Sequence, residues 1–476
     1  MATTDLITLD RKLALAARAL DGWRAELALE SARDGDDPLV GFVELSQRAT
    51  IDAITKSGVG AFHTVPSLLL PNAPIEDKPA LALPDAADPL AEIRDALAGW
   101  CAHLHLYRGL ADATAARAAT FRDPLDSEAY GRAIAMRAML RALARPKQAG
   151  GVPEPRAAAT IEDLAPQALD AIFDEESRRR EASEGVGPLL DCCSKPHRDA
   201  AAKANAFLRD TEDEAKEALA FGMRQSGRIA KHPTWVDVFY VRRAADLSEG
   251  WPSALSGRWL AELARGTELL GGLNVDVKVD AARNTPRADF SGLRLSPPTG
   301  AWTFTHALYA LGVTLRLFGR ESKAYFAPHT RPHDRRPHTL GEAFRKLAST
   351  PVFHARARGV ASAKAESSAR RLAGSRLLER RQLALRVALG PELAKNRRAF
   401  LEAFEEMAPR AIGGETPKEL AALLGAPGPT GPADDAARFL AYEEGEAMYQ
   451  ALVETFDVDW WRNPKAAQWV RGACVR

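Results

Sequence analysis

The amino-acid sequence predicts a mainly α, multi-helix fold with one short β-hairpin, and three observations support this prediction. The chain of 476 residues is rich in alanine, leucine and arginine, which favour helices. Apolar residues recur at helical spacing along most of it, as Leu9, Leu13 and Leu20 do near the N-terminus. A period of two, which is typical of a half-buried strand, is found around Val275 and Val277.

The predicted elements of the first half are helices separated by proline-rich or glycine-rich stretches. Apolar periodicity predicts helices over residues 7–30, 89–108, 127–145, 174–184, 199–243 and 253–270. Two glycines and three prolines lie between residues 145 and 155, and this composition indicates a boundary between lobes.

The second half begins with the β-structure and then returns to helices. Apolar and polar residues alternate over residues 273–279, and residues 290–295 suggest a second short strand of a hairpin. Helices are predicted for residues 302–318, 339–389 and 434–456 and for a short segment at the end of the chain. Thr416 and Glu419 flank Pro417 in the pattern of a helix capping box.

The length and the composition limit the organisation and the compartment. A chain of this size is expected to form two or three lobes, since one hydrophobic core rarely grows so large. We predict an N-terminal helical lobe (1–150), a central helical region (151–270) and a C-terminal lobe (271–476). Four cysteines, the lack of a signal-peptide pattern and the lack of a long apolar run predict a cytoplasmic protein with no membrane partner.

The predicted helix at 302–318 carries the clearest functional motif. Residues 304–312 have the sequence FTHALYALG, which resembles the H-E-x-x-H-A-L helix of the thimet-oligopeptidase-like gluzincin metallopeptidases. In that motif the two His lie on one helix face and share a zinc ion, while the Glu acts as general base on the bound water. His306 stands at the first His, whereas Ala307 replaces the base and Ala310 replaces the second His.

Further matches to this family follow in the family's order over residues 270–476. Residues 277–290 are similar to its D-x-x-x-R-x-x-x-P-R-A-x-F stretch. Residues 339–344, TLGEAF, are similar to the T-E-G-x-A-F region that supplies the third zinc ligand, which would be Glu342. Residues 377–389 resemble a family helix, and the WWRNP sequence that ends at residue 464 is like the terminus of bacterial members. The resemblance implies a gluzincin-like, oligopeptidase-like architecture.

The two alanines predict that the chain has no catalytic residues of this kind. His306 and Glu342 are interpreted as vestigial metal ligands, because even open catalytic zinc sites keep three protein ligands. No cofactor is expected, and zinc is the alternative if the motif binds metal after all. The sequence therefore predicts a pseudo-metallopeptidase, a scaffold that binds a protein or peptide partner whose identity is unknown.

A cluster of three histidines provides a second alternative, an active metallopeptidase with non-standard ligands. His329, His333 and His338 could bind a transition metal if they folded back on His306. Prolines hold this segment extended and its arginines repel a cation, so a mobile, basic surface loop is the favoured prediction.

Uneven charge provides the first alternative, a nucleic-acid-associated protein. Residues 301–400 hold twenty Lys and Arg against six Asp and Glu, a net charge of +14, whereas the remaining chain carries −13. Basic helices can bind phosphates. Because no nucleic-acid motif accompanies the charge, however, we favour the alternative that the basic helices pair with acidic helices of the same chain, such as residues 210–217. The candidate binding residues are Arg331, His333, Arg335, Arg336, Arg370 and Arg371.

Overall fold

A computed structural model gives the fold and confirms a mainly α protein with a small hairpin. The structure describes residues 2–27, 37–56, 89–122, 154–194, 197–227, 233, 235–251, 253–266, 277–279, 286–295, 300–319, 326–414, 416–428 and 430–475. The helix predicted at 127–145, most of the predicted boundary at 145–155 and the start of the strand predicted at 273–279 lie outside these residues.

The first half of the described chain is built from helices whose apolar faces match the predicted periodicity. The α-helices are α1 (Ala2–Leu27), α2 (Arg48–Lys56), α3 (Pro89–Gly109), α4 (Ala111–Arg122), α5 (Glu154–Ser183), α6 (Gly187–Ser194), α7 (Ala200–Asp210), α8 (Glu212–Gln225), α9 (Trp235–Arg242) and α10 (Ser253–Gly266). Short 3₁₀ helices span Val40–Ser46 and Ala245–Gly250.

The second half is helical and ends in a short helix, as predicted, but the stretch predicted as helical over residues 339–389 contains three separate helices. The α-helices of this half are α11 (Gly300–Phe318), α12 (Phe326–His329), α13 (Arg336–Lys346), α14 (Pro351–Arg358), α15 (Ser362–Lys395), α16 (Arg397–Ile412), α17 (Pro432–Phe456) and α18 (Pro464–Val475). Tighter or wider turns span Leu347–Ser349, Lys418–Leu420, Ala421–Gly425 and Trp460–Arg462. Over the part of the chain that the structure describes, no helix is both long and apolar enough to cross a membrane.

The small sheet precedes α11 and contains three strands in the order β1–β3–β2. The hairpin joins β2 (Arg287–Asp289) to β3 (Gly292–Leu295), and β1 (Val277–Val279) pairs with β3 in parallel. The sequence predicted the hairpin between the strand at 273–279 and the one at 290–295. Alternation fixes which side chains share a face but not the direction of the partner strand, so this pairing could not be derived from the pattern.

Three apolar clusters form the cores of the described chain. One joins α1, α2 and α3 to Phe326, and another packs α7, α8 and α9 against α15, α16 and α17. The third surrounds Phe304 and Phe344, on α11 and α13, and includes Trp251 and Trp460. The residue boundaries of the three predicted lobes stay a prediction.

Glycines let α11, α13 and α17 approach closely and so position the site described below. A Cβ on Gly312 would lie 2.5 Å from the Leu340 carbonyl oxygen, and one on Gly341 would lie 2.8 Å from the Tyr309 ring. A Cβ on Gly445 would lie 2.6 Å from the Cβ of Glu342. These contacts hold the backbones of the three helices at a distance that larger side chains would prevent.

The capping box predicted at Thr416 is wrong. The Thr416 hydroxyl donates to the Gly414 carbonyl oxygen at 2.8 Å, and Pro417 occupies the cap position without a side-chain hydrogen bond. The residues that follow form a 3₁₀ turn and then a π turn instead of an α-helix, so the spacing that a capping box requires is not produced.

Candidate functional site

The structure brings the two predicted metal ligands, His306 and Glu342, to one cavity of about 220 Å³. His306 reaches it from α11 and Glu342 from α13, and the remaining walls come from α9, α15 and α17. The cavity is strongly basic, because two glutamates, Glu342 and Glu379, share it with five arginines: Arg242, Arg345, Arg380, Arg386 and Arg438.

His306 is held as a neutral ring at the cavity wall. Its ring packs on Trp302, with the centroids 4.0 Å apart, and its Nδ1–H donates to the Trp302 carbonyl oxygen at 2.9 Å. Its Nε2 faces the Glu379 carboxylate at 3.8 Å. Burial lowers the pKa of His306 to about 4, with the charge of Arg345 acting in the same direction and Glu379 opposing it. The imidazole is therefore uncharged at pH 7.

Glu379 is a central residue of the cavity that the sequence did not single out. It lies on α15 and accepts hydrogen bonds from the Arg345 guanidinium and the Trp302 indole. Burial raises the pKa of this carboxyl, but the charge of Arg345 outweighs burial and the pKa falls to about 2. Its one signal in the sequence is that it is the sole acidic residue over 367–391, within an arginine-rich helix.

Glu342 is buried and already has cationic partners. Arg376 donates from Nη2 to Glu342 Oε2 at 3.0 Å, and Arg345 Nη1 lies 3.7 Å from Glu342 Oε1. Arg376 also pairs with Glu446 at 2.7 Å. Arg345 therefore lies between the two cavity carboxylates and balances part of the charge of each.

The two alanines that interrupt the resemblance to the motif lie away from the cavity. Ala307 and Ala310 are each 1% exposed, and the described residues that line the cavity include neither of them. Packed surroundings of this kind leave no room for a longer polar side chain without rearrangement.

These residues do not fit a zinc site. Zinc in proteins takes three or four ligands from thiolates, imidazoles and carboxylates. The cavity offers one imidazole nitrogen and two carboxylates, and both carboxylates are bound to arginine. A divalent cation between Glu342 and Glu379 would lie against the guanidinium of Arg345, which repels it. Among the described residues, no group of three or more His, Cys, Asp or Glu is arranged to hold a metal ion.

The histidines of the rival site have partners of their own. His329 is buried, and the Arg316 Nη1 donates to its Nε2 at 2.6 Å. His333 packs on the His103 ring with the centroids 5.1 Å apart, and burial lowers its pKa to about 4. The prediction that these two histidines lie in a mobile surface loop is wrong, because the folded chain packs both side chains against neighbouring residues.

His338 connects three helices. Its Nε2–H donates to Asp434 on α17 at 3.2 Å, and its Nδ1 lies 2.6 Å from the Tyr309 hydroxyl on α11. Because a carboxylate only accepts, the proton of the neutral ring is on Nε2 and the Tyr309 hydroxyl donates to Nδ1. His338 therefore links α13 to both neighbours and points to Asp434 instead of His306.

The five arginines among the predicted binding residues are paired with acidic side chains. The sixth predicted residue, His333, is half-buried against the His103 ring. Among the arginines, Arg371 is 1% exposed. The pairing with residues 210–217 is confirmed for Arg370 and Glu217. The nitrogen–oxygen distances lie between 2.6 and 3.1 Å for Arg331 with Glu92, Arg335 with Glu444, Arg336 with Asp334, Arg370 with Glu217 and Arg371 with Asp246.

A second hollow of about 440 Å³ adjoins the cavity, and we call it the outer groove. It runs between α8 and α15, where Phe207, Phe221 and Leu377 give it an apolar floor. Its rim carries charges of both signs. Arg380 and Tyr442 line the outer groove as well as the cavity, so these two side chains form the partition between them.

Comparison of the chain with protein-family models, with curated proteins and with solved structures finds no match.

Proposed function

We propose that this chain is a non-catalytic binding protein, a pseudo-metallopeptidase with a gluzincin-like helical scaffold that receives a peptide or a segment of a partner protein. The observation that carries the proposal is the pairing of both cavity carboxylates with arginines. Glu342 and Glu379, the carboxylates that could hold a metal ion, are instead bound to arginines. The site is a set of ion pairs where a peptidase needs a metal-bound water.

The chemistry of the remaining residues supports the absence of water activation. The neutral His306 ring has an unprotonated Nε2, but Glu379 faces it as an anion with a pKa of about 2. A carboxylate of such low basicity is a poor general base near pH 7. Neither Ala307 nor Ala310 can supply the missing groups.

The outer groove supports peptide binding as the retained activity. Its apolar floor suits side chains of an extended segment, and its rim offers Lys346 and Arg370 as well as Glu214 and Glu217 to polar groups. Peptide-binding sites commonly combine apolar pockets with a few polar contacts that fix orientation.

Metal analysis and peptidase assays test the catalytic half of the proposal. The purified protein is expected to contain substoichiometric zinc and to leave a mixed library of quenched fluorescent peptides uncleaved. Stoichiometric zinc together with chelator-sensitive cleavage would contradict the proposal.

Filling the outer groove tests the binding half. Ala373 is exposed and lines the groove, whereas Ala220 is exposed on α8 and is not among the residues that line it. Selection from a peptide library should give binders whose affinity falls by about tenfold or more in Ala373→Trp, because the indole occupies the floor. Ala220→Trp is the matched control and should bind as the wild type does. If the peptides bind both variants with wild-type affinity, the outer groove is not their binding site.

A further inference from the structure

The five arginines of the cavity differ in how their charge is balanced. Arg345 bonds to Glu379, and Arg380 pairs with Glu443 at 2.8 Å. Arg438 interacts with the carboxylates of the first turn of α17 and with a tyrosine hydroxyl. Each of these three therefore has a side-chain hydrogen-bond acceptor within the protein.

Arg242 and Arg386 lack such a partner among the described residues, where no carboxylate lies within 4 Å of either guanidinium. The Arg242 guanidinium lies 4.2 Å over the Phe239 ring, and Arg386 Nη2 donates to the Leu423 carbonyl oxygen at 3.3 Å. The Nε atoms of both arginines are buried and make no hydrogen bond within the described structure. Among the described residues, the Nε atoms of Arg345 and Arg380 are likewise without a hydrogen bond, but each of these two side chains also binds a carboxylate, whereas Arg242 and Arg386 do not.

The charge of Arg242 is also destabilised by that of Arg386. Burial lowers the pKa of Arg242 to about 9; Glu379 opposes this shift, and the charges of Arg243 and Arg386 contribute to it. Burial likewise lowers the pKa of Arg386, although Asp435 opposes this. Two like charges in one small cavity would be stabilised by an anion placed between them.

We infer that the cavity is an anion-binding site, in which Arg242 and Arg386 bind a small oxyanion that carries a carboxylate or phosphate group. The planar guanidinium fork matches both groups and can donate two parallel hydrogen bonds to either. A volume of about 220 Å³ is below that of drug-sized pockets, roughly 300–1,000 Å³. It therefore suits a phosphate ion or a short dicarboxylate.

The anion has two sources that share this chemistry. Arg242 and Arg386 are half-buried, so the cavity is accessible to a free ion. The outer groove meets the cavity at Arg380 and Tyr442, so an acidic group of a peptide in the groove would reach the same arginines. The inference deepens the proposed function and rests on it, since it gives the cleft of that binding protein its ligand class.

Calorimetric titration of the full chain tests the inference with defined probes. Inorganic phosphate, succinate and acetate are titrated at constant ionic strength set with sodium chloride, so that general screening is the same in each experiment. Phosphate or succinate is expected to bind saturably, and acetate at least about tenfold more weakly because it carries one charge. Peptides that end in Glu, with a free or an amidated terminus, are titrated in the same way. Tighter binding of these peptides than of phosphate and succinate would indicate a peptide source, and weaker binding would indicate a free ion.

Three substitutions assign the binding to the two arginines. Arg242→Met and Arg386→Met should each weaken binding of the anion by about tenfold or more, and Arg242→Lys should lose less because it keeps the charge without the fork. Arg398→Met is the control, since this exposed arginine pairs with Glu402 on its own helix and lines neither the cavity nor the outer groove. In the absence of anion, Arg242→Met should melt at or above the wild-type temperature, because it removes a cation without a partner.

The outcomes separate this inference from the proposed function. Absence of saturable binding by phosphate, succinate and the acidic peptides would overturn the inference, and so would binding that survives both methionine substitutions. If either methionine variant melts well below the wild type, that arginine is structural and the inference fails for it. A protein that binds groove peptides but no anion would still satisfy the proposed function, whereas stoichiometric zinc with chelator-sensitive cleavage would contradict the proposed function whatever the anion result.

Discussion

Two regions of this protein are rich in arginine, and they treat the charge in opposite ways. Along residues 331–371 the predicted binding arginines are each paired with a carboxylate of another segment or a neighbouring residue. In the cavity, Arg242 and Arg386 lie together without a carboxylate within 4 Å among the described residues. The first region holds helices to one another, whereas the second keeps an unbalanced positive charge.

The difference shows that a dense run of arginine in a sequence does not locate a binding surface. Arg371 belongs to the most basic stretch of the chain, yet it is fully buried and bound to Asp246 and the Val241 carbonyl oxygen. Arg242 comes from a segment with no unusual charge, yet it faces a cavity. A cation is available to a ligand only where the fold brings no anion to it.

Removal of a paired, buried arginine should produce the largest effect. Arg371→Met leaves Asp246 buried without its partner and should lower the free energy of unfolding by about 3–5 kcal/mol. Chemical denaturation measures the change. The neighbouring Arg370→Met removes a surface pair with a side chain that is 58% exposed, and we expect roughly 0–1 kcal/mol. Equal losses of unfolding free energy in the two variants would contradict the distinction between a buried and an exposed arginine pair.

Removal of the negative charge of Glu379 in the cavity should produce the second-largest loss of stability. Glu379→Gln keeps the size of the side chain but removes the charge that balances Arg345, so we expect about 2–3 kcal/mol of destabilisation by denaturation. Because the cavity then becomes more positive, phosphate should stabilise this variant at least as much as it stabilises the wild type. Glu402→Gln, which removes an exposed intrahelical pair with Arg398, is the control.

Acidification should weaken the fold through His306. Its pKa is lowered from 6.5 to about 4 in the folded state, so the unfolded chain binds more protons below pH 6.5. The stability that the neutral ring contributes is present above pH 6.5 and is lost as the pH falls toward 4, by up to about 3 kcal/mol. His306→Gln should show a shallower decrease over this interval. Glu379 titrates at lower pH: its pKa in the folded state is about 2, so the stability that its charge contributes is lost only as the pH falls below 4.5. Identical profiles for His306→Gln and the wild type would contradict the assignment.

Crowding the contact between α11 and α13 separates geometry from charge and should have a smaller effect. Gly312→Ala places a methyl group 2.5 Å from the Leu340 carbonyl oxygen, and overpacking of this kind costs about 1–3 kcal/mol. It should also move His306 relative to Glu342 and weaken anion binding. Gly390→Ala is the control, because its new Cβ meets no atom within 4 Å and alanine favours a helix by about 0.5–1 kcal/mol. Thermal unfolding should therefore shift in opposite directions for the two variants.

The family resemblance and the cavity illustrate what a motif can and cannot predict. The resemblance to the family implied that His306 and Glu342, which are far apart in the sequence, serve one site, and both line the cavity. Glu379 was missed because its role depends on α15 crossing the other two helices. Periodicity identifies a helix but does not tell which neighbour its polar side chains will meet.

The sequence by itself determined the mainly α class, the existence of most helices and the presence of alanine at positions 307 and 310. These features are local, since they follow from apolar spacing and from residue identity. The tertiary structure alone decided the direction in which β1 pairs, the arginine partners of Glu342 and Glu379, and the lack of a described carboxylate within 4 Å of Arg242 and Arg386. Charge balance and strand direction depend on distances between segments far apart in the chain, and those distances are fixed only when α9, α11, α13, α15 and α17 pack together.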